Sequence, residues 1–185
     1  MKRMIWAVTL LAFCETASAA TILIEPPSST TPVGGAISVA VRVTGVADLY
    51  AYQFDLSFDL AVLSTMGVSE GAFLPGGGTT FFFPGTTDNV SGTVTLTAGS
   101  LESPVPGVSG SGSLATVQFT GVGLGASPVT LSNVVLLDSM GRDIATTIQN
   151  GSVTVVPEPL SVILVGCGLL GGVIARAYRG SLHRR

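Results

Sequence analysis

Side chains that perform covalent chemistry are scarce in the middle of this 185-residue chain. Between residues 20 and 156 the sequence has no histidine, cysteine, lysine or tryptophan. This composition excludes a Ser-His-Asp triad, a cysteine nucleophile, a lysine Schiff base and a zinc site made from imidazole or thiolate ligands. Carboxylates are therefore the remaining candidates for catalysis.

Paired carboxylates suffice for glycoside hydrolysis when their separation is suitable. Asp55 and Asp59 fall on one face of a predicted strand, about 13 Å apart at roughly 3.3 Å per residue. Retaining and inverting enzymes need about 5 Å and about 6.5–9.5 Å, respectively. The pair is therefore too far apart for either mechanism, and we predict a protein that is not an enzyme. The sequence leaves the positions of Asp48, Glu70 and Asp88 relative to this pair open.

One oxygen-rich segment, Asp138 to Asp143, carries ligands of the type that calcium prefers. It lacks the dense acidic spacing of a dedicated calcium loop, and Gly141 suits the bend of a hairpin turn. We therefore predict a turn and no cofactor, with calcium as the alternative.

Three consecutive aromatic residues, Phe81, Phe82 and Phe83, are candidates for contact with a polysaccharide. Neighbouring residues of a strand face opposite ways, so at least one of the three must point outward. An outward phenylalanine would either stack on a sugar ring or pack beneath a loop, and the loop is the favoured interpretation.

The elements that position these residues are predicted to be strands, because apolar and polar residues alternate over two long segments. The apolar positions are Ile37, Val39, Val41 and Val43 in the first segment and Tyr50, Tyr52, Phe54, Leu56 and Phe58 in the second. Further candidate strands are residues 21–25, 79–83, 93–98, 114–121, 129–131, 134–137 and 152–156. Turn residues at 34–35, 76–78, 88–89, 109–113 and 150–151 separate them. The only room for helix is one short turn within residues 60–74. Many short strands with turn residues between them predict an all-β sandwich.

The second segment also carries a resemblance to a known family. Residues 46–59 (VADLYAYQFDLSFD), followed by Val62-Leu63 and by GAFL at residues 71–74, resemble cohesin domains, the modules of cellulosome scaffolds. The similarity runs from Thr21 to Val155. It implies a jelly-roll sandwich of about nine strands, related to some carbohydrate-binding modules.

The resemblance also implies a binding face. In cohesins the matching strand turns its polar side to a dockerin partner, which here would be Ala51, Gln53, Asp55 and Ser57. The first two positions are commonly polar or acidic in that family, and Ala51 lacks a hydrogen-bonding group. An ordinary solvated sheet face is the alternative interpretation of these four residues.

The N-terminal residues 1–19 have the pattern of a secretory signal peptide. A basic start precedes an apolar stretch at residues 5–14, and small residues follow at Ala17 and Ala19. We predict cleavage before Ala20. The ten apolar residues are too few for a permanent membrane helix.

An uncharged run of 16 residues, 160–175, lies near the C-terminus. As a helix it would be about 24 Å long, short of the ~30 Å hydrocarbon core, but Arg176 and Tyr178 can extend the span to about residue 178. The alternative, a buried core helix, is disfavoured by four glycines that each cost about 1 kcal/mol in water. The basic tail predicts a cytoplasmic C-terminus with residues before Pro157 outside the inner membrane.

The flanks of this run carry a second resemblance. Pro157-Glu158-Pro159 before it and Arg176 and Arg179 after it resemble the PEP-CTERM sorting signal of Gram-negative bacteria that make exopolysaccharide. The resemblance implies recognition by an exosortase, cleavage at the motif, and release or transfer to the cell surface. The predicted organisation is a signal peptide (1–19), a cohesin-like sandwich (20–156) and a sorting signal (157–185).

The charge of the predicted domain limits its partners. Nine acidic residues against two arginines leave residues 20–156 with a net charge of about −7, which argues against nucleic acid. We predict an exported, non-enzymatic surface protein that binds an extracellular protein or a polysaccharide. A carbohydrate-binding module proper and a structural subunit of an exopolysaccharide matrix are the alternatives.

Overall fold

A computed structural model describes residues 19–158, which form an all-β fold. The strands are β1 (Ala20–Glu25), β2 (Ser28–Pro32), β3 (Ala36–Ser57), β4 (Leu63–Glu70), β5 (Thr80–Phe83), β6 (Thr86–Asp88), β7 (Thr93–Leu101), β8 (Val108–Gly121), β9 (Gly125–Asp138), β10 (Thr146–Gln149) and β11 (Gly151–Val156). A short 3-10 helix (Leu74–Gly77) lies between β4 and β5. No helix in residues 19–158 is long and apolar enough to cross a membrane, and the predicted span at 160–178 lies outside the described residues.

The 22-residue strand β3 organises the sandwich because it has two sets of neighbours. Its first half pairs with β1 and β8, and its second half pairs with β7 and β9. Between the halves, Gly45 and Asp48 have positive φ values of 66° and 57°, which bend the strand. One continuous strand therefore contributes to both layers.

The pairings define the layers. One layer has the order β10-β1-β3-β8-β4, and the other runs from β5 and β6 through β7, β3, β9 and β11 to β2. The strands that open and close the fold pair in parallel, β1 with β10 and β2 with β11. These parallel pairs hold the two ends of the described chain together.

The core fills the space between the layers with the inward residues of the alternating strands. Phe54 is fully buried, and the rings of Phe58 and Phe119 meet edge to face with centroids 5.2 Å apart. The Tyr52 hydroxyl crosses the core and donates a hydrogen bond of 2.7 Å to the Leu114 carbonyl oxygen. Burial raises the pKa of Tyr52, so this phenol stays protonated and keeps its bond to β8.

The predicted alternation of the two long segments is confirmed, but the strand count differs from about nine. Residues 37–44 and 50–58 join in β3, and residues 129–131 and 134–137 join in β9. Four strands were not predicted: β2, β4, β6 and β10. In β4 the pairing with β8 shifts between Thr65 and Gly67, and this bulge interrupts the alternation that marks a strand in sequence.

Two local predictions are wrong. Residues 109–113 are part of β8 and form no turn, because the hydroxyls of Ser109 and Ser111 accept hydrogen bonds from the Asp48 and Gly45 amides where the ladder to β3 is irregular. Residues 63–70 are strand β4, and the helical turn lies later, at Leu74–Gly77.

Candidate functional site

A groove crosses the outward face of the layer that contains the second half of β3. Its volume is about 280 Å³. Two cross-strand rows line it. One row is Phe81, Ser100, Ala51 and Leu137 on β5, β7, β3 and β9, and the other is Ala98, Gln53 and Val135 on β7, β3 and β9, next to Phe83 outside the lining. In the first row, the small side chains of Ser100 and Ala51 lie between the large ones of Phe81 and Leu137.

This arrangement follows from residue size on a pleated sheet. Outward positions share one face, so their side chains stand side by side at the strand spacing. Ala51, Ala98 and Ser100 make a low floor, while Phe81 rises on one side with 57% of its surface exposed. Val135 stands opposite, also substantially exposed. No charged side chain lines the groove.

The three phenylalanines of β5 divide between the two faces of the sheet. Phe81 and Phe83 point outward, which confirms that at least one does so. Phe82 is partly buried and packs against the hydrophobic core. The alternation of β5 places the Phe82 ring on the inward side. Glycan contact by Phe81, Phe82 and Phe83 stays a prediction, and Phe81 and Phe83 are the two whose rings lie on the outward face.

The four residues predicted to form the partner face do share the outward side of β3, and each is partly exposed. Ala51 and Gln53 line the groove, whereas Asp55 and Ser57 do not. Ser57 ends β3, where it pairs with Thr93 and Thr130. The groove is thus centred on the first two of the four positions.

Asp55 has a structural role, because its carboxylate binds both neighbouring strands, β7 and β9, where each has a bulge. One oxygen accepts a hydrogen bond of 2.7 Å from the Leu96 amide, and the other accepts one of 2.6 Å from the Asn133 side-chain amide. Leu96 and Asn133 both have positive φ, and the register of β7 and β9 against β3 shifts beside Asp55. Asp55 therefore shapes the sheet beneath the groove.

A second aspartate braces the bend of β3. The Asp48 carboxylate accepts hydrogen bonds from the Gly107 amide at 2.7 Å and from the Ser139 hydroxyl at 2.6 Å. The Ser139 hydroxyl is the main cause that holds the pKa of Asp48 below its usual value, and the Gly107 amide adds to it. These bonds connect the β3 bend to the loops after β7 and β9.

The segment from Asp138 to Asp143 is a hairpin turn, as predicted, with Gly141 at a φ of 74°. The Asp138 carboxylate accepts hydrogen bonds from the Met140 amide and from the Arg142 amide and guanidinium. The Arg142 amide is the main reason why the pKa of Asp138 is lowered. Residues 19–158 contain no group of three or more His, Cys, Asp or Glu side chains placed to hold a metal ion.

Acid should destabilise the fold through Asp48. Its folded pKa lies below the unfolded value of 3.8, so its stabilising contribution is complete above that pH and is lost as the pH falls through the folded pKa. We expect the free energy of unfolding, measured in urea at a series of pH values, to fall less steeply in acid for Asp48→Asn than for the wild type. Ser139→Ala should flatten the profile in the same direction. Identical acid profiles for all three proteins would contradict this.

The residues of the predicted processing sites lie at the edges of the fold. Ala20 is the first residue of β1, is buried, and donates its amide to the Ala145 carbonyl oxygen, while Ala19 is exposed. Pro157 and Glu158 are exposed and directly follow β11. Four further predicted residues lie outside the described range: Ala17, Pro159, Arg176 and Arg179.

Several groove residues were not singled out from the sequence. Ala98 and Ser100 on β7 and Val135 and Leu137 on β9 complete the groove around Ala51. Alternation places each pair on one face of its own strand. Alternation does not identify which strands flank β3. The pairing of β7 and β9 with β3 is what makes these residues neighbours.

Comparisons with known proteins agree with this architecture. The family model for the cohesin domain matches residues 22–155. A non-cellulosomal cohesin from the archaeon Archaeoglobus fulgidus has a TM-score of 0.62 and 23% identity, over 78% of this chain and 96% of its own. The cohesin of a type I cohesin–dockerin complex from Clostridium thermocellum has a TM-score of 0.61 and 15% identity, over 75% and 100%. The search of the curated proteins gives no match.

Proposed function

This chain belongs to the cohesin family, and on that premise we propose that it is a non-catalytic module that docks a dockerin-type partner protein. Cohesins with the same fold have been solved in complex with dockerins from Clostridium thermocellum and Acetivibrio cellulolyticus. The observation that carries the proposal is the groove centred on Ala51 and Gln53. It lies on the face that the family resemblance assigns to the partner.

The chemistry of the groove indicates how a partner would bind. Its lining is uncharged and largely apolar, so the driving force for binding would come from burying apolar surface such as that of Phe81 and Val135. Ala51 offers no side-chain hydrogen bond, so a partner would be recognised at this position by shape complementarity and not by polar pairing. Gln53 and Ser100 supply the polar groups that orient the partner.

Titration calorimetry with dockerin-type modules encoded in the same genome tests the proposal. We expect saturable binding by at least one module, with a negative heat-capacity change because apolar surface is buried. If every such module leaves the protein uncomplexed, the docking function is wrong.

A second candidate function, direct binding of polysaccharide, is favoured by one observation. Phe81 and Phe83 present rings on an exposed strand face, where they could stack on pyranose rings. Affinity electrophoresis in gels containing the exopolysaccharide distinguishes the two functions. Retention that is lost in Phe81→Ala, together with no dockerin binding, would favour this candidate.

We also propose that the protein is exported, held in the inner membrane by residues 160–178, and sorted to the surface by an exosortase. The position of the fold supports this, because within residues 19–158 the first buried residue is Ala20 and the last strand ends at Val156. Cleavage before Ala20 and within residues 157–159 would leave every strand intact.

Replacing Glu158 tests the sorting step. We expect Glu158→Ala to block processing and to leave a full-length membrane species on a gel, since the exposed motif would lose its carboxylate. Glu102→Ala, a replacement at an exposed glutamate away from the motif, should be processed normally. Equal processing of wild type and Glu158→Ala would contradict the sorting role.

A further inference from the structure

One end of the sandwich gathers the loops that surround the point where the chain leaves the fold. We call it the exit end and define it by the turn at residues 33–35, the loops 58–62 and 122–124, the turn 89–92, and Val156. The Val33 amide donates to the Val156 carbonyl oxygen at 3.2 Å. The Gly34 amide donates to the Gly121 carbonyl oxygen at 2.7 Å, directly before the loop 122–124. The Val122 amide donates to Val62 and the Phe58 amide donates to Gly92, so backbone bonds also connect the other two loops.

The exit end is unusually apolar for a set of loops. Each of its four loops exposes at least one large apolar side chain: Val33, Leu60, Val90, Val122 and Leu124. Val90 is 85% exposed and Leu124 is 60% exposed. The opposite end consists of the β3 bend at residues 45–48 and the loops 102–107 and 139–145, which the Asp48 carboxylate connects. In these segments Met140 is the one large apolar side chain that is more than a third exposed. Exposed apolar surface of this kind marks a contact with a partner or a membrane.

The charges of the exit end argue against an electrostatic contact. Its loops contain no lysine or arginine. The Asp59 carboxylate accepts the Ala61 amide, and the Asp88 carboxylate accepts the Val90 amide and the Ser91 hydroxyl. These carboxylates brace the loops that present Leu60 and Val90. An anionic surface would be repelled, so the partner must offer apolar surface.

The length of the connecting chain selects the partner. β11 ends at Val156, and the apolar run that we propose as the membrane anchor begins at Leu160. Four residue steps span at most about 14 Å at roughly 3.3–3.6 Å each. An anchored protein therefore holds Val156 within that distance of the start of the anchor. The exit end then faces the bilayer, and a gap of this width leaves no room for a large partner beside Val156.

We propose that, while the protein is anchored, the exit-end loops rest in the boundary between the lipid headgroups and the acyl chains. This inference rests on the membrane anchoring proposed above. The apolar faces of interfacial helices bury about 5–10 Å into the same boundary. The groove lies on a sheet face rather than at an end of the sandwich, so the contact leaves the groove open to a partner.

Tryptophan fluorescence of the full chain in phosphatidylcholine vesicles tests the inference. Trp6 is the single tryptophan, so Trp6→Phe provides a silent background. On it, Leu124→Trp and Val90→Trp report on two separate exit-end loops, and Met140→Trp is the matched control at the opposite end. We expect lipids brominated near the headgroup to quench both exit-end tryptophans strongly and the control tryptophan little. Part replacement of phosphatidylcholine by phosphatidylglycerol should reduce the quenching.

Flotation of the same vesicles after an alkaline wash reports separately on the anchor. If the chain floats but exit-end and control tryptophans are quenched equally, the loop contact is wrong and the anchor stands. A blue-shifted Leu124→Trp emission without quenching by brominated lipid would assign the exit end to a second copy of the chain and overturn the inference. If the chain does not float, both the anchor and the loop contact are wrong.

Discussion

The Phe54→Ala variant is expected to lose about 3–5 kcal/mol of unfolding free energy, the usual cost of deleting a buried phenylalanine ring. Phe54 has no exposed surface, and its ring stacks on that of Tyr52 with centroids 6.1 Å apart. Truncation would leave a cavity between the layers that the hydrogen-bonded Tyr52 cannot move to fill. Since domains of this size are stable by about 5–15 kcal/mol, the loss is a large share of the total.

Urea denaturation followed by far-ultraviolet circular dichroism measures this loss. Phe81→Ala is the matched control, because it deletes the same ring from an exposed position, and a change within about 0.5 kcal/mol is expected. In a binding assay the order should reverse: Phe81→Ala should weaken the affinity for the partner more than Phe54→Ala does. Equal destabilisation by both substitutions would show that the core assignment is wrong.

The Ala51→Arg variant is expected to lose docking of a dockerin-type partner while the fold remains stable. Ala51 forms the floor of the groove between Ser100 and Leu137, so a long charged side chain would fill the space that the partner needs. Loss of a central interface contact costs about 2 kcal/mol or more, which is at least about thirtyfold in affinity. Because position 51 points outward, the arginine can extend into solvent without entering the core.

Ser38→Arg is the matched control for this experiment. Ser38 is exposed on the first half of β3, which belongs to the other layer, and pairs with Gln118 away from the groove. It adds the same charge to the same strand, so affinity measured by calorimetry should stay close to that of the wild type. If both arginines weaken binding equally, the effect is one of net charge and the groove is not the docking site.

Sequence patterns identified the inward residues of the long strands because their alternation is a local property. Tyr52, Phe54, Leu56 and Phe58 are buried as that pattern predicts, and Gly141 bends the turn in which it was expected. Local patterns failed where side-chain hydrogen bonds replace the regular backbone hydrogen bonds between two strands. The turn predicted at residues 109–113 is a strand because hydroxyl groups there accept hydrogen bonds from the β3 bend.

By itself, the sequence determined that the domain is all-β, that residues 20–156 lack nucleophilic and imidazole side chains, and that Ala51 and Gln53 share an outward face. These properties depend on composition and on neighbours along the chain. The tertiary structure alone decided that Phe81, Ala98 and Val135 meet around that face, and that the Asp55 carboxylate is occupied by Leu96 and Asn133. The reason is physical: strand pairing joins residues tens of positions apart, and the bulges that set its register leave no periodic signal in the sequence.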